Sequence, residues 1–287
     1  MKRGEYKLSD THGRFLRAEK NGHEIHDATW ASGRILLSNR RLILAGNGGK
    51  QTIPLSAIEG LEGRVDVNQE VASVSEYLSV RIPSGVILVA PKEFEEFEQE
   101  FYGAVLNEGT FLARHPAVEG GVVQNTEWER SRLKVESEAV SMATVSGTFV
   151  EIRLDDIGDI TTGRRTIIDD SRLVVEVEHS DEETSVQTYI AGSDRQMSFL
   201  ESLLRKGEEQ SEVSLELSET DKQVLTALYS GVSPFDIPSF LGVDVDEVEE
   251  LYVRLIDHDV LNEVRIRHEV TLNARGRSIA SDVISDQ

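Results

Sequence analysis

The chain of 287 residues holds 52 Asp and Glu against 30 Lys and Arg, a formal net charge of −22, with 39% hydrophobic residues and no cysteine. That apolar share excludes a wholly disordered chain, and the missing cysteine excludes disulfides, Cys-ligated zinc and thiol nucleophiles. Val86 to Pro91, the longest charge-free apolar stretch, is far below the roughly 20 residues of a membrane helix, and Met1 to Asp10 lacks a signal-peptide core, so a soluble cytoplasmic protein is expected.

Charge is unevenly spread. Residues 1–50 carry ten basic and five acidic residues, a net of +5, most of it from Arg14, Arg17, Lys20, Arg34, Arg40, Arg41 and Lys50. Two readings stand. Each arginine pairs with a nearby acid, or the segment is a docking face for an acidic partner, because complementary charge sets orientation and register. His23 and His26 sit three apart on an extended segment, which turns them to opposite faces, so a shared metal is not expected. Gly46 to Thr52 has the superficial look of a phosphate loop, but Leu44 stands where the first glycine belongs and Gln51 where Ser or Thr should follow the lysine. A glycine-rich hairpin turn fits better.

An internal repeat organises the next 150 residues. Ile53 to Leu61 has a counterpart in Ile152 to Ile160, with apolar residues at the same four offsets. Upstream, Ile35, Leu37, Leu42 and Leu44 match Leu133, Val135, Val140 and Met142, flanking the polar turns Ser38–Arg40 and Glu136–Glu138. Alternation around a turn predicts a half-buried hairpin in each copy. Each copy ends alike. Val86–Val89 leads into a helix over 92–106 with Phe94, Phe97, Phe101 and Val105 on one stripe, and Val186–Ile190 leads into a helix over 194–206 with Met197, Leu200, Leu203 and Leu204. The pattern predicts two strand-rich domains, residues 1–108 and 109–207, each a small β-sandwich or barrel closed by a helix. Asp155–Asp156 and Asp169–Asp170 are paired carboxylates expected on solvated turns. With no nucleophile elbow and no dinucleotide fingerprint, the chain does not read as an enzyme.

Residues 208–212 read as a polar, acidic linker, and the period then changes from strand to helix. Ser218 to Asp221 resembles a capping box, a short helix follows over 234–241, and Asp244 to Asp257 lines Val245, Val248, Leu251, Tyr252 and Leu255 on one face. Leu261 to Leu272 alternates as a hairpin around Arg267–His268, and 274–284 is helical. That order over residues 213–287 is a winged helix-turn-helix, so the whole is α+β. Its use is another matter. The domain carries six basic and fifteen acidic residues, and the would-be recognition helix sets Asp244, Asp246, Glu247, Glu249, Glu250 and Asp257 against Arg254. A major-groove helix needs donors, and this one presents acceptors, so nucleic-acid binding is not expected. Arginine outnumbers lysine 22 to 8, and an acidic, lysine-poor surface is what a high-salt cytoplasm selects, since salt screens the self-repulsion.

Two modules of this kind, the first carrying Gly33–Leu44 (GRILLSNRRLIL) and then Ile53–Ile58 (IPLSAI), look like pleckstrin-like (GRAM-like) domains. Followed by a winged helix, they make the chain resemble the archaeal taxis adaptor family CheF over essentially its whole length. The resemblance implies a non-catalytic adaptor, without cofactor or metal, between the phosphorylated response regulator CheY and the switch proteins at the base of the archaellum. The family has no short active-site motif from which residues could be carried over. On charge, Arg14, Arg17, Arg40 and Arg41 are the candidates for the motor side. Tyr252, Arg254, Arg265 and Arg267, expected on exposed faces, are the candidates for the regulator. Unpaired sheet edges suggest a homodimer. The competing class is a winged-helix transcription regulator with tandem sensor domains, and the acidic helix argues against it. Membrane recruitment through the pleckstrin-like pockets is opposed by net charges of −3 over 1–108 and −10 over 109–212.

Overall fold

The computed structural model describes residues 4–64, 68–107, 109–181, 184–213, 217–257 and 260–261. They form two compact units, residues 1–214 and 215–287. No helix among the described residues is long and apolar enough to cross a membrane.

Unit 1 is the repeat made visible. Its first half runs β1 (Lys7–Arg17), β2 (Glu19–Lys20), β3 (His23–Glu24), β4 (Ala31–Ser38), β5 (Arg41–Gly46), β6 (Gly49–Pro54), a 3-10 turn η1 (Leu55–Ala57), β7 (Gly60–Glu62), a short α1 (Gln69–Ala72), β8 (Leu78–Ile82), β9 (Gly85–Pro91) and α2 (Phe94–Leu106). The second half runs β10 (Thr110–Glu119), β11 (Val122–Val123), β12 (Glu129–Val135), β13 (Ala139–Thr144), β14 (Phe149–Arg153), η2 (Leu154–Asp156), β15 (Asp159–Ile167), β16 (Asp170–Asp181), β17 (Thr184–Ala191) and α3 (Asp194–Val213). The sheets are ordered β6-β5-β4-β1-β9-β8-β7 and β14-β13-β12-β10-β17-β16-β15. Strand for strand, the two topologies are the same, and each sheet is followed by its helix.

The predicted hairpins are in register. Leu37 faces Leu42 and Ile35 faces Leu44 across β4 and β5; Val135 faces Val140 and Leu133 faces Met142 across β12 and β13. All eight side chains are buried, because a period of two puts every second residue on the core face. Gly46 pairs with Gly49 to close the β5–β6 turn, and Gly49 has a φ of 118°, which only glycine takes without strain. The glycine-rich stretch is a hairpin turn.

Both halves share one core. Phe97 and Phe101 of α2 join Phe111 of β10 and Phe199 and Leu200 of α3 between the sheets, with the Phe101 and Phe199 rings edge to face at 6.2 Å. The helices cross-link the halves. Tyr102 Oη lies 3.2 Å from Ser202 Oγ, Lys206 forms an ion pair with Glu98, and Arg195 of α3 donates to the carbonyls of Ile58 and Leu55, both at 2.6 Å.

The segment expected as a linker is helical. α3 is 20 residues long, about 30 Å at 1.5 Å per residue, and it runs straight through 208–212. Gly207 lies inside this helix, where glycine is costly. Here it serves close approach: a Cβ at this position would sit 2.6 Å from the Leu154 carbonyl oxygen and 3.1 Å from its Cβ. The glycine lets α3 lie directly against η2.

In unit 2, α4 (Glu219–Tyr229), α5 (Ile237–Leu241) and α6 (Val245–Asp257) surround a core of Val224, Ala227, Ile237, Val248, Leu251 and Leu255. The capping box is present in full. Asp221 N donates to Ser218 Oγ at 3.2 Å, and Ser218 N donates to Asp221 Oδ2 at 2.7 Å. Gly242 closes α5 in the left-handed region at φ 69°. The expected hairpin over 261–272, apart from Leu261, and the helix over 274–284 lie outside the described residues, as do Arg265 and Arg267.

Candidate functional site

The N-terminal cations separate into spent and available groups. Arg34 donates Nε to Asp10 Oδ1 at 2.7 Å and Nη2 to Oδ2 at 2.6 Å, with Lys7 on the same carboxylate at 3.1 Å. These partners hold the Asp10 carboxyl well below the usual range. Arg41 forks onto the buried Glu5 at 2.7 and 2.9 Å, and Ser38 Oγ donates to the same group at 2.9 Å. Local pairing therefore accounts for Arg34 and Arg41. Arg41, one of the docking candidates, is held by this carboxylate.

Arg14 and Arg17 are three apart on β1, so alternation sends them to opposite faces. Arg17 reaches the Ser84 carbonyl at 3.5 Å. Arg14 is exposed and lies over the Trp30 ring at 5.7 Å. Trp30 packs against Tyr77 at 6.0 Å, and Arg64 covers Tyr77 at 5.5 Å. Arg40 is exposed in the β4–β5 turn. It sits beside the Lys7 end of β1, which pairs with Ser38, seven residues or about 23 Å along the strand from Arg14. The four candidates do not form one patch.

On unit 2, Arg254 bridges α6 to Asp221 of α4, whose carboxylate is 2% exposed. Burial pushes that carboxyl up, but the Ser218 hydrogen bonds and the guanidinium outweigh it, and its pKa is lowered. Tyr252, expected on an exposed face, is half-buried and donates its hydroxyl to the Pro234 carbonyl at 2.9 Å. A residue on the buried stripe of an amphipathic helix can carry only its polar tip outward. The acids behave as expected: Asp244, Asp246, Glu247, Glu249 and Glu250 are all exposed.

A buried polar cluster joins three strands in the second half. His115 of β10 and His179 of β16 stack at 6.0 Å on either side of Thr188 of β17. His115 Nδ1 lies 2.7 Å and His179 Nε2 2.8 Å from the Thr188 hydroxyl, and His179 Nδ1 lies 3.1 Å from the Ser180 carbonyl. A carbonyl only accepts, so the His179 proton sits on Nδ1. Its Nε2 then accepts from Thr188, and the Thr188 oxygen accepts from His115 Nδ1. His115 Nε2 is left bare, 3.3 Å from Asp181 Oδ2. Burial lowers the pKa of both imidazoles. Sequence reasoning treats these histidines as isolated, because 64 residues separate them and only the shared neighbour β17 brings them together. The described residues contain no group of three or more His, Cys, Asp or Glu that could hold a metal. His23 and His26 belong to no such group.

Two compact units, the first a duplicated curled sheet and the second a small helical bundle, are also the units that comparison with known proteins picks out. Residues 7–210 match the family described as Archaeal Chemotaxis signal transduction system protein F. The chain belongs to that family. Residues 216–285 match a domain of unknown function. The chain is 50% identical over 290 residues to Taxis protein CheF1 of Halobacterium salinarum, covering 100% of both chains. It is 22% identical over 264 residues to Taxis protein CheF2 of the same organism, covering 88% of this chain and 90% of the relative. The resemblance carried by GRILLSNRRLIL and IPLSAI is to the family that matches, and the family works in chemotaxis signal transduction.

Proposed function

We propose that the protein is a non-catalytic adaptor that binds the phosphorylated response regulator CheY and couples it to the switch proteins of the archaellum motor. In this reading the halves of unit 1 are pleckstrin-like domains and unit 2 is a winged helix-turn-helix turned to protein contact. The observation that carries the reading is the division into two units, each with its own core and each matched by a separate family description. An adaptor must hold one partner while sampling another, and two independently folded surfaces are the physically simplest way to do so. Binding must also discriminate, since only differential affinity for the phosphorylated form transmits a signal.

Of the candidates, Arg14 and Arg40, exposed and outside the carboxylate forks, are assigned to the motor in this scheme, and unit 2, with Arg265 and Arg267, to the regulator. Pull-down at native salt, with and without an acyl-phosphate donor, tests it. Charge reversal at Arg14 and Arg40 should weaken capture of switch proteins and leave the regulator. Reversal at Arg265 and Arg267 should do the converse, and both variants should swim without reversing. A folded variant that loses both partners, or two variants that lose neither, would refute the division of labour. A duplex-DNA footprint that survives molar salt would favour the transcription-regulator reading instead. A homodimer paired through the sheet edges β6 or β14 belongs to the same scheme. Light scattering should give about twice the chain mass of 31.9 kDa, and a constant monomer mass across concentrations would exclude it.

A further inference from the structure

We propose that a concavity on the outer face of the first β half is a docking groove for an extended acidic segment of a protein partner. The inference rests on the adaptor reading and names one of its surfaces. The groove has a volume of about 480 Å3 and lies between His12 and Arg14 of β1, Ser73 to Glu76 of the loop after α1, and Ala90 to Lys92 at the end of β9. It is a place for a few side chains, not for a folded domain.

Charge selects the ligand. His12, Arg14 and Lys92 are all exposed, and Glu76 is the lone acid among the lining residues, on a chain of net charge −22. Register sets the spacing. Arg14 pairs across the ladder with the small Ala90, which leaves room above the strand, and Lys92 N donates to the His12 carbonyl at 2.9 Å, placing Lys92 beside His12. Arg14 and Lys92 thus stand two ladder positions apart on neighbouring strands, offset by about 7 Å along the strand direction. That is the repeat of alternate side chains on an extended peptide lying along the strand. A single phosphate would instead need donors converging on one point.

The walls are prearranged. Arg14 lies on Trp30 and not in a carboxylate fork, so its donors remain for an incoming carboxylate. Trp30 leads to Tyr77 and on to Arg64, which donates to the carbonyls of Ala72, Val74 and Ser75 at 2.8, 3.2 and 3.3 Å. One ladder of rings and guanidinium groups therefore ties the cationic strand to the loop opposite, and little ordering is left for binding to accomplish. Arg34 and Arg41, equally basic in the sequence, are already neutralised.

The test uses the full chain at native salt and a fluorescein-labelled peptide with Glu at alternate positions, followed by anisotropy. Molar salt cuts the Debye length to about 3 Å, so only contact pairs survive. Saturable binding is expected. Arg14→Glu with Lys92→Glu should weaken it at least tenfold, Arg14→Gln with Lys92→Gln should weaken it less, and Arg132→Glu, at an exposed position on β12 of the second half, should leave it unchanged. Absence of saturable binding, indifference to both double variants, or displacement by millimolar inorganic phosphate would overturn the proposal. Pull-down of the taxis partners by the same proteins separates the two ideas. If wild type captures neither partner the adaptor reading fails, and if the double variant captures both as wild type does, only the groove fails.

Discussion

Arg195→Met should destabilise unit 1 by about 2–3 kcal/mol, within the range of about 1.5–3 kcal/mol for a hydrogen bond to a charged group, here in a partly buried site. Methionine keeps the apolar stem and removes the guanidinium that serves two carbonyls, those of Ile58 and Leu55, the two buried residues of the turn that follows β6. Leu55 O keeps one donor, Ile58 N at 3.1 Å. The cation also leaves the face of Phe199, where it sits at 5.1 Å. Because Arg195 belongs to the helix of the second half and the carbonyls to the first, the loss falls on the joint. Urea denaturation at fixed KCl should show a lower midpoint with an unchanged slope, the mark of a stability change without a change in the surface exposed. Lys134→Met, which breaks an exposed pair with Glu136, should stay within about 0.5 kcal/mol of wild type. If both variants behave alike, Arg195 does not hold the halves together.

The joint also marks the limit of what a sequence discloses. Ile35, Leu37, Leu42 and Leu44 declare their hairpin because strand period and turn residues are local. Ser218 and Asp221 declare their helix start because a cap needs only four residues. The repeat is legible for the same reason, since both copies keep apolar offsets that the chain can show by itself. Arg195, by contrast, acts on residues 137 and 140 positions away, and nothing around it in sequence names them. Gly207 carries a local signal that points the wrong way, because a helix breaker and a close-packing glycine look identical until the opposing carbonyl is known. The basic N-terminus falls between these cases. Its excess charge is legible, but which arginines are free depends on Glu5 and Asp10 meeting their partners across strands. Arg14 is set apart from Arg41 by what lies beneath it: a ring in one case, a buried carboxylate in the other.

Stability should fall as pH drops below about 6.5, before any carboxylate titrates. His115 and His179 both have pKa values lowered in the folded chain from the ordinary 6.5, chiefly by burial. Above 6.5 both states are neutral and the stability is fully present. Below it the unfolded chain binds protons that the folded one refuses, so stability declines until the folded values are reached. Asp181 and Glu119 draw a proton toward His115, while His115 opposes one on His179 despite Asp156 and Asp181. The hydrogen-bond chain adds direction. A proton on His179 Nε2 would take away the acceptor of the Thr188 hydroxyl proton, whereas a proton on His115 Nε2 gains Asp181. His115 should therefore titrate first, read from its imidazole NMR resonance, and Asp181→Asn should move that titration to lower pH. A second loss follows in more acid solution, where Glu93, Glu129, Asp155 and Asp221, all lowered in the folded chain, take up protons below about pH 4. Urea midpoints at fixed KCl should be level from pH 8 to 7 and fall from 6.5 to 5.5, and His115→Gln with His179→Gln should flatten that step. Both histidines titrating together near 6.5, indifferent to Asp181, would mean that the pair is open to water and that β10, β16 and β17 do not close over it.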